Sequence, residues 1–228
     1  MAMQKTILAV YERMLERYGP QHWWPGETRF EVMVGAILTQ ATAWSNVEKA
    51  IARMKAAGAL SPRAIRGLTE AELASLVYSA GYHNAKARKL KALAEFVGRC
   101  FNDDLDAMVH ETDDSLREKL LGVHGIGEET AADIMLYAAG RPSFVIDGYT
   151  RRVFARLGLV PERGQYSMYR DLFMSNLPAD AGLFGEYHAL IVRHGVEVCR
   201  KQPMCKGCCL LQMCSTGTRW VATADDSI

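Results

Sequence analysis

Apolar residues return every three or four positions along most of this chain, the spacing of helices that bury one face. Near the start, Ile7, Leu8, Tyr11, Met14 and Leu15 form such a stripe, broken by Glu12 and Glu16. That pattern reads as an amphipathic helix rather than a signal peptide. FEVMVGAILTQATAW, residues 30–44, is apolar on nearly every side and ends at Ser45, an expected N-cap for the helix through NVEKAIARMKAAG. Ser61–Pro62 opens a short helix, with proline at its first position. Thr69 and Glu72 form a capping-box pattern ahead of another. HNAKARKLKALAEFVGRCF, residues 83–101, predicts a long helix, followed by a polar break at NDDLDAM. Further helices are predicted over 113–121, capped by Thr112 or Asp113, and over 128–139, 149–157, YSMYRDLFMSNL and 182–198. FVID is a short extended run, and the stretch from Ser215 onward has no clear period and reads as irregular. No strand series and no repeat of 20–50 residues appears. The expected fold class is all-α, built from about nine to eleven short helices.

Composition adds size. With 228 residues, 49% of them hydrophobic, the chain can bury one large core or two smaller ones. The expected division places a helical domain at 28–138 and a discontinuous second domain at 1–27 plus 139–228. The formal net charge of +1 does not announce a nucleic-acid partner. A basic run at Lys86, Arg88, Lys89 and Lys91 admits either a local basic face or an ordinary solvated surface. No stretch of 18 apolar residues occurs, so no membrane span is expected, and the expected setting is cytoplasmic.

The chemistry-bearing features are three. First, GVHGIG puts Gly122, Gly125 and Gly127 between two helices. Glycine reaches left-handed backbone positions and leaves its N–H unshielded. The first N–H groups of the second helix lack intrahelical partners, so they suit a phosphate oxygen; the alternative is a linker in which glycine only solves geometry. Val123 and Ile126 are placed to pack this turn down. Second, five of the six cysteines lie within 16 residues. Cys199, Cys205, Cys208 and Cys214 have the spacing C-x5-C-x2-C-x5-C, with Cys209 extra, which suits Zn²⁺ or an iron–sulfur cluster. Third, Asp147 follows the apolar run FVI and precedes a helix. It reads as an N-cap and also as a carboxylate able to stabilise a cationic sugar or activate water. Arg151 and Arg152, one turn on, are either phosphate contacts or helix-surface charge.

Taken in order, these features resemble the endonuclease III family of helix-hairpin-helix DNA glycosylases. LLGVHGIGEETAADIML is similar to the family hairpin and SFVIDGYTRRVFARLG to its aspartate segment. FEVMVGAILTQATAWSNVEKAI is similar to its early helix pair and GYHNAKARKLKAL to its middle. The cysteine spacing is similar to its four-cysteine loop, whose usual first gap is six residues rather than five. The resemblance covers about residues 25–214. It implies a two-domain helix-hairpin-helix glycosylase fold with a C-terminal [4Fe–4S] loop at 199–214, held by Cys199, Cys205, Cys208 and Cys214. It also implies a monomer acting on double-stranded DNA with the damaged nucleotide flipped out. Asp147 matches the catalytic aspartate, Gln40 a residue that fills the vacated stack, and Tyr82 a wedge beside the lesion.

One departure matters most. Bifunctional members carry a lysine at the position of Glu129, whose amine attacks the sugar and leads to strand cleavage. A glutamate has no amine for that step, so the resemblance implies a monofunctional glycosylase that leaves an abasic site. ILTQ-x-TAW, GIG-x-ETA and D-x-YTRR are closest to the alkylpurine branch, which implies an alkylated base such as 3-methyladenine. A mismatch thymine or uracil glycosylase is the nearest alternative, and a non-catalytic DNA-binding repair protein is the alternative of another class. Trp23, Trp24, Trp44, Tyr82 and His83 are candidate pocket members; for any one tryptophan, core packing is the stronger reading.

Overall fold

The computed structural model describes residues 2–225. Among them every regular element is helical. In chain order the α-helices are α1 (Ala2–Tyr18), α2 (Arg29–Leu38), α3 (Trp44–Ala56), α4 (Pro62–Gly67), α5 (Glu70–Leu76), α6 (His83–Phe101) and α7 (Leu105–Met108). They continue with α8 (Asp113–Leu121), α9 (Glu128–Asp133), α10 (Gly148–Arg156), α11 (Tyr166–Met174), α12 (Ala181–Glu197) and α13 (Ser215–Asp225). The chain divides into two compact units, Trp24–Arg141 on one side and the described parts of Met1–Trp23 and Pro142–Ile228 on the other.

The continuous unit is built around α2. Its sequence is apolar on all faces, and such a helix is stable only when surrounded. Every residue from Phe30 to Leu38 is buried, including Glu31, whose carboxylate receives Lys55 at 2.9 Å. Val34, Ile37 and Leu38 share one core with Leu90, Leu93 and Val97 of α6 and with Ile134. Ser61 caps α4 through the amide of Ala64, with Pro62 in the first turn. Thr69 and Glu72 close a reciprocal capping box on α5. Thr112 caps α8. These local bonds satisfy end groups that a helix leaves unpaired.

The discontinuous unit packs α1 and α10 against α12. Ile7, Val10 and Met14 bury one stripe of α1, and the Tyr187 hydroxyl donates to the Ile7 carbonyl at 2.7 Å. Phe144 stacks on Phe173 with ring centroids 3.7 Å apart, while Phe154, Phe184 and Tyr187 meet this pair edge-on. This aromatic core pins the extended segment Phe144–Val145–Ile146, all three essentially inaccessible.

Several local expectations change. Trp44, not Asn46, opens α3, and its cap position is Ala43 with no side-chain bond, so Ser45 lies inside the first turn. NDDLDAM contains the single-turn helix α7, capped by Asp104. The residues from Ser215 form α13 rather than an irregular tail; its opening Ser–Thr–Gly–Thr consists of weak helix formers. The helix predicted over 128–139 begins as α9 but widens into a π turn at Ile134–Ala138, where the Ala139 amide reaches back five residues to the Ile134 carbonyl at 3.0 Å.

Candidate active site

Asp147 stands at the N-cap of α10. One carboxylate oxygen accepts the Thr150 amide at 2.7 Å. The other lies 3.7 Å from Nε2 of His188 on α12. The carboxylate side chain is only 13% exposed and the imidazole 7%. Burial alone would raise the aspartate's pKa, but His188 and the Thr150 bonds overcome it and hold the group below the usual carboxylate value. The outcome is an ionised, nearly enclosed carboxylate of fixed direction. His188 was not among the residues singled out from the sequence. Its only signal was a histidine on the otherwise apolar run of α12, which is ordinarily a core residue.

Arg151 and Arg152 sit where the sequence placed them, one turn into α10. Both guanidinium groups are engaged inside their own unit. Arg151 donates to the Gly164 carbonyl at 3.1 Å and lies over the Tyr169 ring, 5.0 Å from its centroid. Arg152 donates to Cys199 O at 2.6 Å and Gly195 O at 3.0 Å, with its carbon 5.0 Å over Tyr149.

The cysteine expectation is corrected. Among the described residues, no group of three or more His, Cys, Asp or Glu side chains could hold a metal ion, which overturns the [4Fe–4S] loop and the metal-ligand role given to Cys199, Cys205, Cys208 and Cys214. The sulfurs serve local bonds instead. Cys214 Sγ donates to Arg156 O at 3.3 Å and accepts the Gly217 amide at 3.2 Å. Cys199 Sγ accepts from Arg156 at 3.3 Å. Three of these four thiols are held above their usual pKa. A bond with Cys209, then burial, pushes Cys208 up to about 12. Burial and neighbouring sulfurs raise Cys205. Burial also raises Cys214. Spacing in the sequence brought the four residues near one another, but not into a ligand set.

In the other unit, the glycine turn joins α8 to α9. Gly125 has φ +86°, and a Cβ there would fall 2.3 Å from Cγ of Lys89. Gly122 and Gly127 adopt ordinary backbone, φ −74° and −101°. Val123 and Ile126 are buried beneath the turn. Gly127 is the N-cap of α9 and offers no side chain to its first N–H groups. Glu128 pairs with Arg117, while Glu129 is exposed in the first turn of α9. Lys119, on the preceding helix α8, is bound to Glu111 at 2.5 Å.

Gln40 is brought directly to the hairpin. Its Nε2 donates to Gly125 O at 3.0 Å and Thr130 Oγ1 at 2.9 Å, and Lys89 Nζ donates to its Oε1 at 2.5 Å. Tyr82 has a left-handed backbone, φ +46°, and is 75% exposed. Two of the candidate pocket members, Trp24 and Trp44, pack together. Trp24 packs edge-on to Trp44 at 5.4 Å and tilted against Tyr137 at 5.3 Å. Gly35 admits this cluster, since a Cβ there would lie 2.9 Å from the Trp24 ring. His83 instead packs on Tyr78 at 4.8 Å, and Trp23 belongs to the discontinuous unit. Tyr137, carried by the π turn, was not legible in the apolar string IMLYAA.

Comparisons with known proteins converge on one group. The sequence model of a family described as HhH-GPD superfamily base excision DNA repair protein matches residues 34–179. MJ1434 of Methanocaldococcus jannaschii, whose name is that of a DNA repair glycosylase, is 43% identical over 211 residues, covering 92% of this chain and 96% of its own. Among solved structures, a non-covalent endonuclease III–DNA complex matches the fold with a TM-score of 0.83 at 22% identity, over 96% of this chain and 98% of that one. Helicobacter pylori 3-methyladenine DNA glycosylase bound to 1,N6-ethenoadenine matches with a TM-score of 0.72 at 26% identity, over 84% and 96%. Among the described residues, no helix is long and apolar enough to cross a membrane.

Proposed function

We propose, from the premise that this chain belongs to the HhH-GPD superfamily of base excision DNA repair proteins and is a DNA glycosylase, that it is a monofunctional enzyme releasing an alkylated purine, such as 3-methyladenine, from duplex DNA. The observation that carries the chemistry is the Asp147 carboxylate, kept ionised between the Thr150 amide and His188. As the bond from C1′ to the base nitrogen breaks, its electron pair leaves with the base and positive charge grows on the sugar. A fixed negative group in a poorly solvated site opposes that charge effectively. Water then adds to C1′ and gives up a proton, leaving an abasic site.

Glu129 supports the monofunctional reading, because it offers no amine for an imine with the opened sugar. The alkylpurine reading has two supports. A purine alkylated at N3 or N7 is cationic while joined to the sugar, so it is already a good leaving group and is attracted to aromatic faces. Trp24, Trp44 and Tyr137 supply such faces together. The likeness to the H. pylori enzyme named above points the same way. Gln40 and Tyr82 are the residues we assign to the duplex at the flipped nucleotide, and the Gly125–Gly127 turn to a backbone phosphate.

The test is a panel of duplexes carrying 3-methyladenine, 7-methylguanine, hypoxanthine, and uracil or thymine opposite guanine, assayed for base release. Release of alkylated purines that is lost in Asp147→Asn supports the reading. Release confined to uracil or thymine mismatches replaces it with the mismatch reading. Binding with no release from any duplex refutes a catalytic role.

A further inference from the structure

The basic run that opens α6 looks in the sequence like solvated charge, yet its first member is among the most buried side chains of the protein. Lys86 is 2% exposed. Its ammonium donates to Leu38 O at 2.8 Å, Thr42 Oγ1 at 2.6 Å and Ala80 O at 2.7 Å. An ammonium has three donors, so all are used. None goes to a carboxylate. Burial, and then the charge of Lys89, pushes the group's pKa down to about 8. A buried cation without an acidic partner is costly to keep, and its three acceptors show what it holds together.

Those acceptors belong to two loops. Leu38 O is at the end of α2, where carbonyls lack intrahelical partners, and Thr42 lies four residues on. Between them stand Gln40 and Ala41, the latter left-handed at φ +53°. Ala80 O precedes Gly81 and Tyr82, and Tyr82 is left-handed at φ +46°. Thr42 Oγ1 also donates to Ala80 O, closing a triangle with the ammonium. The Lys86 amide binds Tyr82 O at 2.9 Å. Non-glycine residues hold left-handed backbone only where their surroundings enforce it. Here the same cation braces both strained turns.

We propose that Lys86 is a positioning residue: its buried ammonium ties the Gln40 loop to the Tyr82 loop, so that both side chains are presented to the duplex as one rigid unit. Lys89 extends the device by fixing Gln40 Oε1 from the next turn of α6. The proposal rests on the assignment of Gln40 and Tyr82 to the flipped nucleotide. Replacing the ammonium frees each loop separately, and the loss appears in how the pair engages DNA rather than in bond cleavage itself.

The test uses the full chain and a duplex with a tetrahydrofuran abasic analogue opposite 2-aminopurine, whose fluorescence reports side chains entering the stack without requiring any lesion. Wild type should bind and shift the fluorescence, and the Gln40→Ala/Tyr82→Ala protein should bind measurably more weakly and lose the shift. Lys86→Met should weaken binding about 3- to 30-fold, the range by which remote positioning residues modulate a site, and lose most of the shift. Added to Gln40→Ala/Tyr82→Ala, it should cost nothing further. A folded Lys86→Met protein with the wild-type shift, or one whose loss adds in full to that of the double variant, overturns the proposal alone. A wild-type response from Gln40→Ala/Tyr82→Ala overturns the assignment of the pair and the proposal with it. If Lys86→Met fails to unfold cooperatively, Thr42→Val, which removes one acceptor, decides. It should show a smaller loss that is likewise absent in the double-variant background, and a wild-type response from it refutes the tie.

Discussion

Replacing each hairpin glycine by alanine should separate three residues that look equivalent in GVHGIG. At Gly125 two costs combine. The φ of +86° puts a Cβ in the left-handed region, and the new atom falls 2.3 Å from Lys89 Cγ and 2.5 Å from its Cδ. The backbone term is about 1–2 kcal/mol, and overpacking adds about 1–3 kcal/mol. Some relief comes from moving Lys89, but that breaks its bond to Gln40. We expect Gly125→Ala to cost about 2–4 kcal/mol, a fall of roughly 5–15 °C in Tm for a chain of this size. A methyl group at Gly127 would meet nothing within 4 Å, and the φ there is ordinary, so Gly127→Ala should cost only about 0.5–1 kcal/mol through the poorer N-cap. At Gly122, in right-handed helical backbone with its nearest neighbour at 3.4 Å, alanine should be neutral or stabilising by up to about 1 kcal/mol. Thermal and urea unfolding of the three variants measure this directly. Equal losses at all three positions would refute the reasoning, because they would mean the turn needs glycine for something other than backbone conformation and local space.

Asp147→Asn should keep an oxygen to cap α10, lose the stability that the carboxylate's charge contributes, and lower base release at least about 100-fold, the scale for losing one transition-state electrostatic partner. The Asp147 pKa lies below its ordinary value of 3.8. Its stabilising contribution is therefore present above that value and lost as pH falls through the lower folded one. His188→Gln removes a group that holds the pKa down, so the acid limb of base release should move to higher pH; an unmoved profile would remove His188 from the site. Wild type should give no borohydride-trapped adduct with a duplex it processes, whereas Glu129→Lys should give one, read as a shifted band on a denaturing gel.

How much of this was legible in the sequence differs by the kind of signal. Caps written in side chains were readable: Ser61–Pro62, Thr69 with Glu72, and Thr112 all act locally, so a few residues decide them. The start of α3 was misread because tertiary burial of Val47 and Ala50 positions that helix, leaving Ser45 no capping role. Asp147 could be found because it follows a buried extended run and opens a helix. Its partner His188 could not, because 40 residues of chain separate the two and only the packing of α10 on α12 joins them. The cysteines show the reverse error, in which short spacing implied a shared ligand set that the folded backbone does not form.

The same contrast governs the cations, and it yields a prediction about DNA binding. Each phosphate neutralised by a protein cation contributes about 0.9 to the slope of log affinity against log salt. On sequence alone Arg152 is a fair candidate for one. In the structure its guanidinium bridges Cys199 O and Gly195 O and lies over Tyr149, so it fastens α10 to the end of α12 and to the backbone just after it. Arg152→Met should therefore act on the fold. It leaves two carbonyls short of a donor, at about 1–3 kcal/mol each where burial is complete and less where water reaches them. The salt slope, measured by titrating an abasic-analogue duplex at several chloride concentrations, should stay within about 0.3 of wild type. A slope reduced by close to one, with stability unchanged, would instead make Arg152 a phosphate contact. It would also show that its bonds to Cys199 and Gly195 yield to DNA.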